Sequence, residues 1–120
     1  MIVNIDPIYF DTNKSKIRPD AAIQLDKVVA VMRKFPEIII RSSSHTDSRG
    51  RDAYNKKLSE RRAKSTVAYI IAKGINPNRI TGKGYGETQL VNDCTNSVKC
   101  TSEEHQPNRR TEFVIVKKAE

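Results

Sequence analysis

The chain has no tryptophan, and its four tyrosines and three phenylalanines make up only 6% of 120 residues. A core must therefore come chiefly from Ile, Leu, Val and Ala, which suits one modest domain and not two. No apolar run approaches the ~18–20 residues needed to cross a bilayer. The N-terminus also lacks the basic, apolar and small-residue regions of a secretory leader. The sequence opens almost at once on strand-like MIVNIDPIYF. The expectation is one domain over residues 1–120, excised from a longer exported protein whose leader and anchor lie elsewhere.

Cysteine is nearly absent too. Cys94 and Cys100 close the polar stretch DCTNSVKC. Three readings stay open: a local disulfide, which implies an oxidising compartment; a metal site that also uses His105, at spacings matching no common zinc pattern; or two free thiols. Glycine is scarce, yet Gly82, Gly84 and Gly86 alternate within ITGKGYGE. With no helix following, they make no phosphate loop, and close backbone packing or a bulge accounts for them better. No cofactor and no metal are expected.

Acidic residues are outnumbered, 14 against 22, for a net charge of +8. Residues 41–73 hold nine Lys/Arg against three Asp/Glu. Such a face either attracts an anionic partner or is simply solvated. The aromatic-basic interleaving of nucleic-acid binders is missing, so no nucleic acid is expected.

Read in order, residues 2–10 form a strand and DTNKSKIRP a loop. Ala22, Leu25, Val29 and Met32 then recur at helical spacing behind Pro19, and Pro36 stops that helix. Ile38–Ile40 reads as a buried strand ending in serines, which puts His45, Thr46 and Asp47 at its C-terminal end, where ligands of α/β sheets gather. Residues 53–57 make a helical turn, and Ser59 is the expected N-cap of a helix that Gly74 ends. On that count Arg62 is the third residue of its helix, where unpaired N–H groups would help a guanidinium receive a carboxylate. After ITGKGYGE and the Cys-bounded loop, TEFVIVKK is a last strand. The fold class is α+β, an α/β sandwich: a β-α-β-α-β-β mixed sheet with helices packed on one face.

Asp47 and Arg62, on different elements, can pair with each other or clamp a small zwitterion. Lys would not replace Arg equally well, because only Arg offers a planar two-toothed fork. His45 is expected to be a satisfied strand-end histidine. It has no catalytic nucleophile, since Ser42–Ser44 lie too close and lack an elbow motif, so no enzyme is expected. Arg109 and Arg110 should point to opposite faces, one able to pair with Glu112. Tyr54, Leu58 and Tyr85 are expected to be packing residues.

The pattern formed by His45, Thr46, Asp47, Gly50, Tyr54, Asn55, Leu58, Ser59, Arg62 and Ala63, closed by Asn108-Arg109-Arg110, resembles the OmpA-like C-terminal domain. That family also contains peptidoglycan-associated lipoproteins and the periplasmic part of flagellar motor stators. Phe10–Ser15 resembles its opening loop and GKGYGE its third strand, so the resemblance covers nearly the whole chain. Ser44 departs from it, standing where many members have Gly. The 92–101 loop reads as an insertion to which the resemblance assigns no role.

The resemblance implies non-covalent binding of peptidoglycan through the diaminopimelate of its stem peptide. Asp47 would take the ligand ammonium and Arg62 its carboxylate, with Asn13, Asn55, Arg109, Thr12 and Thr46 as flanking contacts. It implies a place in the periplasm, tethered to the outer membrane of a Gram-negative cell through sequence outside the chain; a homodimer stays open. Asp47→Ala or Arg62→Ala is expected to abolish binding with the fold kept. Alternatives are the wall anchor of a motor stator, a polyanion binder indifferent to Asp47 and steeply salt-dependent, and a wall hydrolase.

Overall fold

The computed structural model describes residues 6–96 and 98–118, with side chains as far as Ile115. The elements are β1 (Ile8–Tyr9), α1 (Pro19–Lys34), β2 (Ile38–Ser44), α2 (Asp52–Ala72), β3 (Ile80–Gly84), α3 (Ser102–His105) and β4 (Arg110–Lys118). They form one four-stranded sheet in the order β1-β4-β2-β3. β2 and β3 run parallel, while β4 is antiparallel to both β1 and β2. This is the mixed α+β sheet expected. Residues 2–5 of the expected first strand lie outside the described residues.

α1 starts at Pro19, whose missing N–H costs nothing in a first turn. It buries Ala21, Leu25, Val28, Val29 and Met32 against Phe10, Ile38, Ile40, Ile70 and Ile80. With so few aromatics, this aliphatic cluster is the core. Among the described residues no helix is long and apolar enough to cross a membrane.

β2 continues past its isoleucines through Ser42, Ser43 and Ser44. Ser42 and Ser44 are fully buried. The Ser42 hydroxyl donates to Thr81 O at 3.2 Å, and the Ser44 and Thr111 hydroxyls bond at 2.7 Å. Small polar residues fit here because α2 lies close to the sheet. A Cβ added to Gly84 would collide with Glu60 N and Ser59 Oγ. Close packing therefore explains Gly84, as the alternating glycines led one to expect.

Two expectations fail. The turn at 53–57 does not stop at Ser59: α2 runs unbroken from Asp52, with Arg51 as its N-cap. Ser59 is a mid-helix residue whose hydroxyl donates to Lys56 O and accepts from Gly86 N, both at 2.8 Å. Arg62 therefore lies mid-helix and receives no help from a helix N-terminus. The second failure is the stretch before β4, which is not all loop. Thr101 caps α3, accepting from Glu104 N at 3.1 Å, while the Glu104 carboxylate accepts from Thr101 N at 2.8 Å.

Candidate functional site

Four segments converge at the C-terminal end of β2. The 46–49 turn brings Thr46, Asp47 and Arg49. The 11–14 turn brings Asn13, whose positive φ of 58° Asn tolerates better than most residues. α2 brings Asn55, Leu58 and Arg62, and the residue before β4 brings Arg109. These eight line one cavity of about 10 Å³, room for roughly a single water. Thr12 borders it through Arg49. Six of the seven candidate site residues named from sequence thus line one cavity, and the seventh, Thr12, touches its rim. Arg49, unremarked in the sequence, joins them.

Asp47 is nearly buried and bonded on several sides. Arg49 donates to its carboxylate from Nη2 at 2.8 Å, from Nε at 3.3 Å and from the backbone N at 3.0 Å. Arg109 Nη1 donates to it at 3.2 Å. Burial alone would raise the Asp47 pKa, but the bonds from Arg49 and then Arg109 outweigh it and hold the carboxyl below its usual range. Arg49 Nη2 also reaches Thr12 Oγ1 at 3.1 Å.

Arg62 is fully buried beneath the Phe10 ring, 5.1 Å from its centroid. It forms no direct ion pair with Asp47. Instead its guanidinium donates to three backbone carbonyls: Lys14 O at 2.8 Å, His45 O at 2.9 Å and Asp11 O at 3.0 Å. It thereby ties both ends of the 11–14 turn to the end of β2. Burial lowers its pKa to about 10, with Asp47 opposing, so it stays charged at neutral pH. A guanidinium has five N–H groups and these bonds use three, which leaves one each on Nη1 and Nη2. Because Arg62 underpins the turn, Arg62→Ala cannot be expected to keep the fold, contrary to the sequence reading.

Arg109 makes one side-chain and one main-chain bond to the Phe10 backbone, its Nε donating to Phe10 O and its carbonyl accepting from Phe10 N, each at 2.9 Å. Arg110 points elsewhere, to Glu112 Oε1 at 2.7 Å and Gln89 O at 2.9 Å. The two arginines part as expected, although Arg109 precedes β4 and only Arg110 belongs to the strand. Asn55 donates to Glu87 Oε1 at 3.1 Å and Asp47 O at 3.4 Å, and Thr46 Oγ1 donates to Asp47 O at 2.9 Å.

His45 departs from expectation. Its ring is buried and stacked on Tyr85, centroids 5.3 Å apart, yet neither nitrogen has a hydrogen-bond partner. Burial first, then Arg110, lowers its pKa to about 4, while Glu112, 3.6 Å away, works in the opposite sense. Tyr54 is 41% exposed, under the Arg61 guanidinium, and so is not a packing residue. Cys94 and Cys100 form a disulfide, which removes the thiolates that a metal site with His105 would need.

A larger groove of about 530 Å³ lies between α2 and β3, lined by Lys56, Glu60, Ala63, Lys64, Val67, Gly82, Lys83 and Gly84. It gathers lysines without a converging acid–base set. The carboxylate and the converging guanidiniums lie in the smaller cavity.

Fold and site together define an α/β sandwich domain with a carboxylate ringed by guanidiniums at the strand ends. A solved structure of the C-terminal domain of Helicobacter pylori MotB shares the fold, with a TM-score of 0.81 over 97% of this chain and 88% of that one at 24% identity. By sequence, the chain is 40% identical over 116 residues to outer membrane protein A of Bordetella avium. It is 36% identical over 114 residues to the peptidoglycan-associated lipoprotein of Rhizobium meliloti. These alignments take in 97% and 94% of this chain, and 57% and 62% of the relatives. Across the first curated relatives matched, the chain spans from 13% to 62% of their length. The OmpA family pattern matches residues 9–103, and the chain belongs to that family.

Proposed function

We propose that this domain binds peptidoglycan non-covalently through the diaminopimelate of the stem peptide, and that it anchors a longer envelope protein to the wall. The observation that carries this reading is the pairing, in one cavity, of the Asp47 carboxylate with an Arg62 guanidinium that keeps two N–H groups uncommitted. The free end of diaminopimelate is an amino-acid zwitterion, so it needs one anion and one cation side by side.

Arg49 now stands where the ligand ammonium would go. Its side chain is 39% exposed, so it can swing into water and leave Asp47 to the incoming cation. The ligand carboxylate then meets the two spare N–H groups of Arg62, with Asn13, Asn55, Arg109, Thr12 and Thr46 around it. Charge-assisted bonds of this kind contribute about 1.5–3 kcal/mol each, offset by desolvation and by displacing Arg49. One free fragment should bind at roughly micromolar to millimolar Kd. A wall presenting many stems to a tethered domain makes such weak sites sufficient.

The names of the relatives support a place in the periplasm, tethered to the outer membrane by the remainder of a longer exported protein. Nothing in this mechanism requires bond cleavage, and the domain is assigned no catalysis. Amide NMR titration with meso-diaminopimelate tests the reading. Saturable shifts at Asn13, Asp47, Arg49 and Arg62 are expected, and none even at tens of millimolar ligand would refute it.

A further inference from the structure

The loop closed by Cys94 and Cys100, with the residues that lead into it, grips both sides of the site from behind. On one side is Ser48, between Asp47 and Arg49 and itself buried. Its hydroxyl donates to Cys94 O. With the Asn96 amide turned so that its nitrogen donates, that nitrogen lies 2.8 Å from Ser48 O and 2.6 Å from Glu87 Oε2. Glu87 in turn accepts from Asn55, a residue of the cavity wall.

On the other side is Asn108, buried and adjacent to Arg109. Its Nδ2 donates to Asn92 Oδ1 at 2.9 Å, and its Oδ1 accepts from Val91 N at 2.7 Å. Asn92 is fixed by a bond to Glu104 O at 2.8 Å. Residues 91–96 therefore hold the sequence neighbours of both members of the Asp47–Arg109 ion pair.

We propose that the disulfide-closed loop, together with Val91 and Asn92 that lead into it, is a positioning strut for the wall-binding site, presetting the Asp47–Arg49 turn and the Arg109 guanidinium through Ser48 and Asn108. The loop touches no ligand. An untethered 91–101 segment would sample many conformations and hold these two buried contacts only part of the time. Closing it between Cys94 and Cys100 reduces that freedom. The turn then stands in its binding geometry before ligand arrives, and less affinity is lost to ordering it.

The strut rests on the proposed function only where affinity is concerned, so the test reads the free protein first. Amide hydrogen exchange is measured in wild type, in the double variant Cys94→Ser/Cys100→Ser and in Ser48→Ala, which keeps the disulfide. The expected result is exchange at residues 47–50 and 109 at least about tenfold faster in the double variant, with β2 and α2 protection retained. Ser48→Ala should reproduce this at 47–50 alone, and it carries the test should the double variant not fold. Unchanged exchange at 47–50 in Ser48→Ala would overturn the proposal. The same variants are then titrated with meso-diaminopimelate, where a roughly tenfold weaker Kd is expected. Faster exchange with wild-type affinity would also overturn it. Absent binding by wild type, with the exchange pattern as expected, leaves the strut standing and removes the diaminopimelate reading instead.

Discussion

Arg49 holds the Asp47 carboxylate by two guanidinium N–H groups and its own backbone N–H, so this acid is already matched by a cation two residues along the chain. The match is local, half in water, and replaceable by another cation. Arg49→Ala should therefore let the Asp47 pKa rise toward the ordinary carboxylate range, because burial would then face only Arg109 and the backbone N–H of residue 49. Side-chain carboxyl carbon shifts across an acid titration measure this; an unmoved midpoint would assign the depressed pKa to Arg109 and the residue-49 backbone N–H instead.

Arg62 is the opposite case. Three buried carbonyls depend on its planar fork, and a lysine ammonium cannot reach all three in those directions. Arg62→Lys is expected to cost about 2–4 kcal/mol, from carbonyls left without partners and a poorly matched buried charge. Urea unfolding gives the value, and a loss below about 0.5 kcal/mol would show that the turn does not lean on this residue.

His45 makes stability sensitive to mild acid. Its folded pKa of about 4 lies below the ordinary 6.5, so protonation favours the unfolded chain. The stability tied to the neutral ring is complete above about pH 6.5 and is lost as pH falls toward 4, about 3 kcal/mol in all. Glu87 runs the other way. Burial, then Asp52, pushes its carboxyl up to about 7, so its contribution is present at low pH and lost as pH rises through 7. The His45 share is therefore read as a difference: His45→Phe, which can still stack on Tyr85, should flatten the wild-type loss between pH 6.5 and 4. An equal acid slope in both proteins would be inconsistent with this account.

Gly84 has no room for a side chain. Gly84→Ala would push a methyl into the α2 backbone at Glu60 and should destabilise the fold by about 2–4 kcal/mol. Retention of the wild-type melting temperature would mean that α2 can shift off β3 at little cost.

These residues also mark how far the sequence could be read. Periodicity exposes α1, because one apolar stripe faces one core, and the expected parting of Arg109 from Arg110 holds although only Arg110 lies in the strand. The true start of α2 is hidden. Ser59 looks like a cap because serine often is one, and its real partners, Lys56 O and Gly86 N, come from the helix itself and from a turn 27 residues later. The serines of β2 escape a hydrophobicity criterion although they are buried as deeply as its isoleucines. Arg62 among basic neighbours looks like a site residue or a solvated one, and only the three carbonyls disclose its structural duty. Arg49 has no motif of its own to mark it, since pairing at a separation of two needs the turn to be known first. α3 is missed by periodicity because it is only one turn long, although Thr101-Ser102-Glu103-Glu104 spells a capping box.

The central claim is that the site reads an ammonium and a carboxylate together. The direct measurement is calorimetric binding of three ligands of similar length: meso-diaminopimelate, pimelate without the amines, and 1,5-diaminopentane without the carboxylates, each on wild type and on Asp47→Asn. The account predicts that only meso-diaminopimelate binds wild type appreciably, both truncated ligands falling at least about tenfold weaker, and that Asp47→Asn removes its advantage. Pimelate binding as tightly as meso-diaminopimelate, with Asp47→Asn without effect, would contradict the account and leave a simple anion site formed by the arginines.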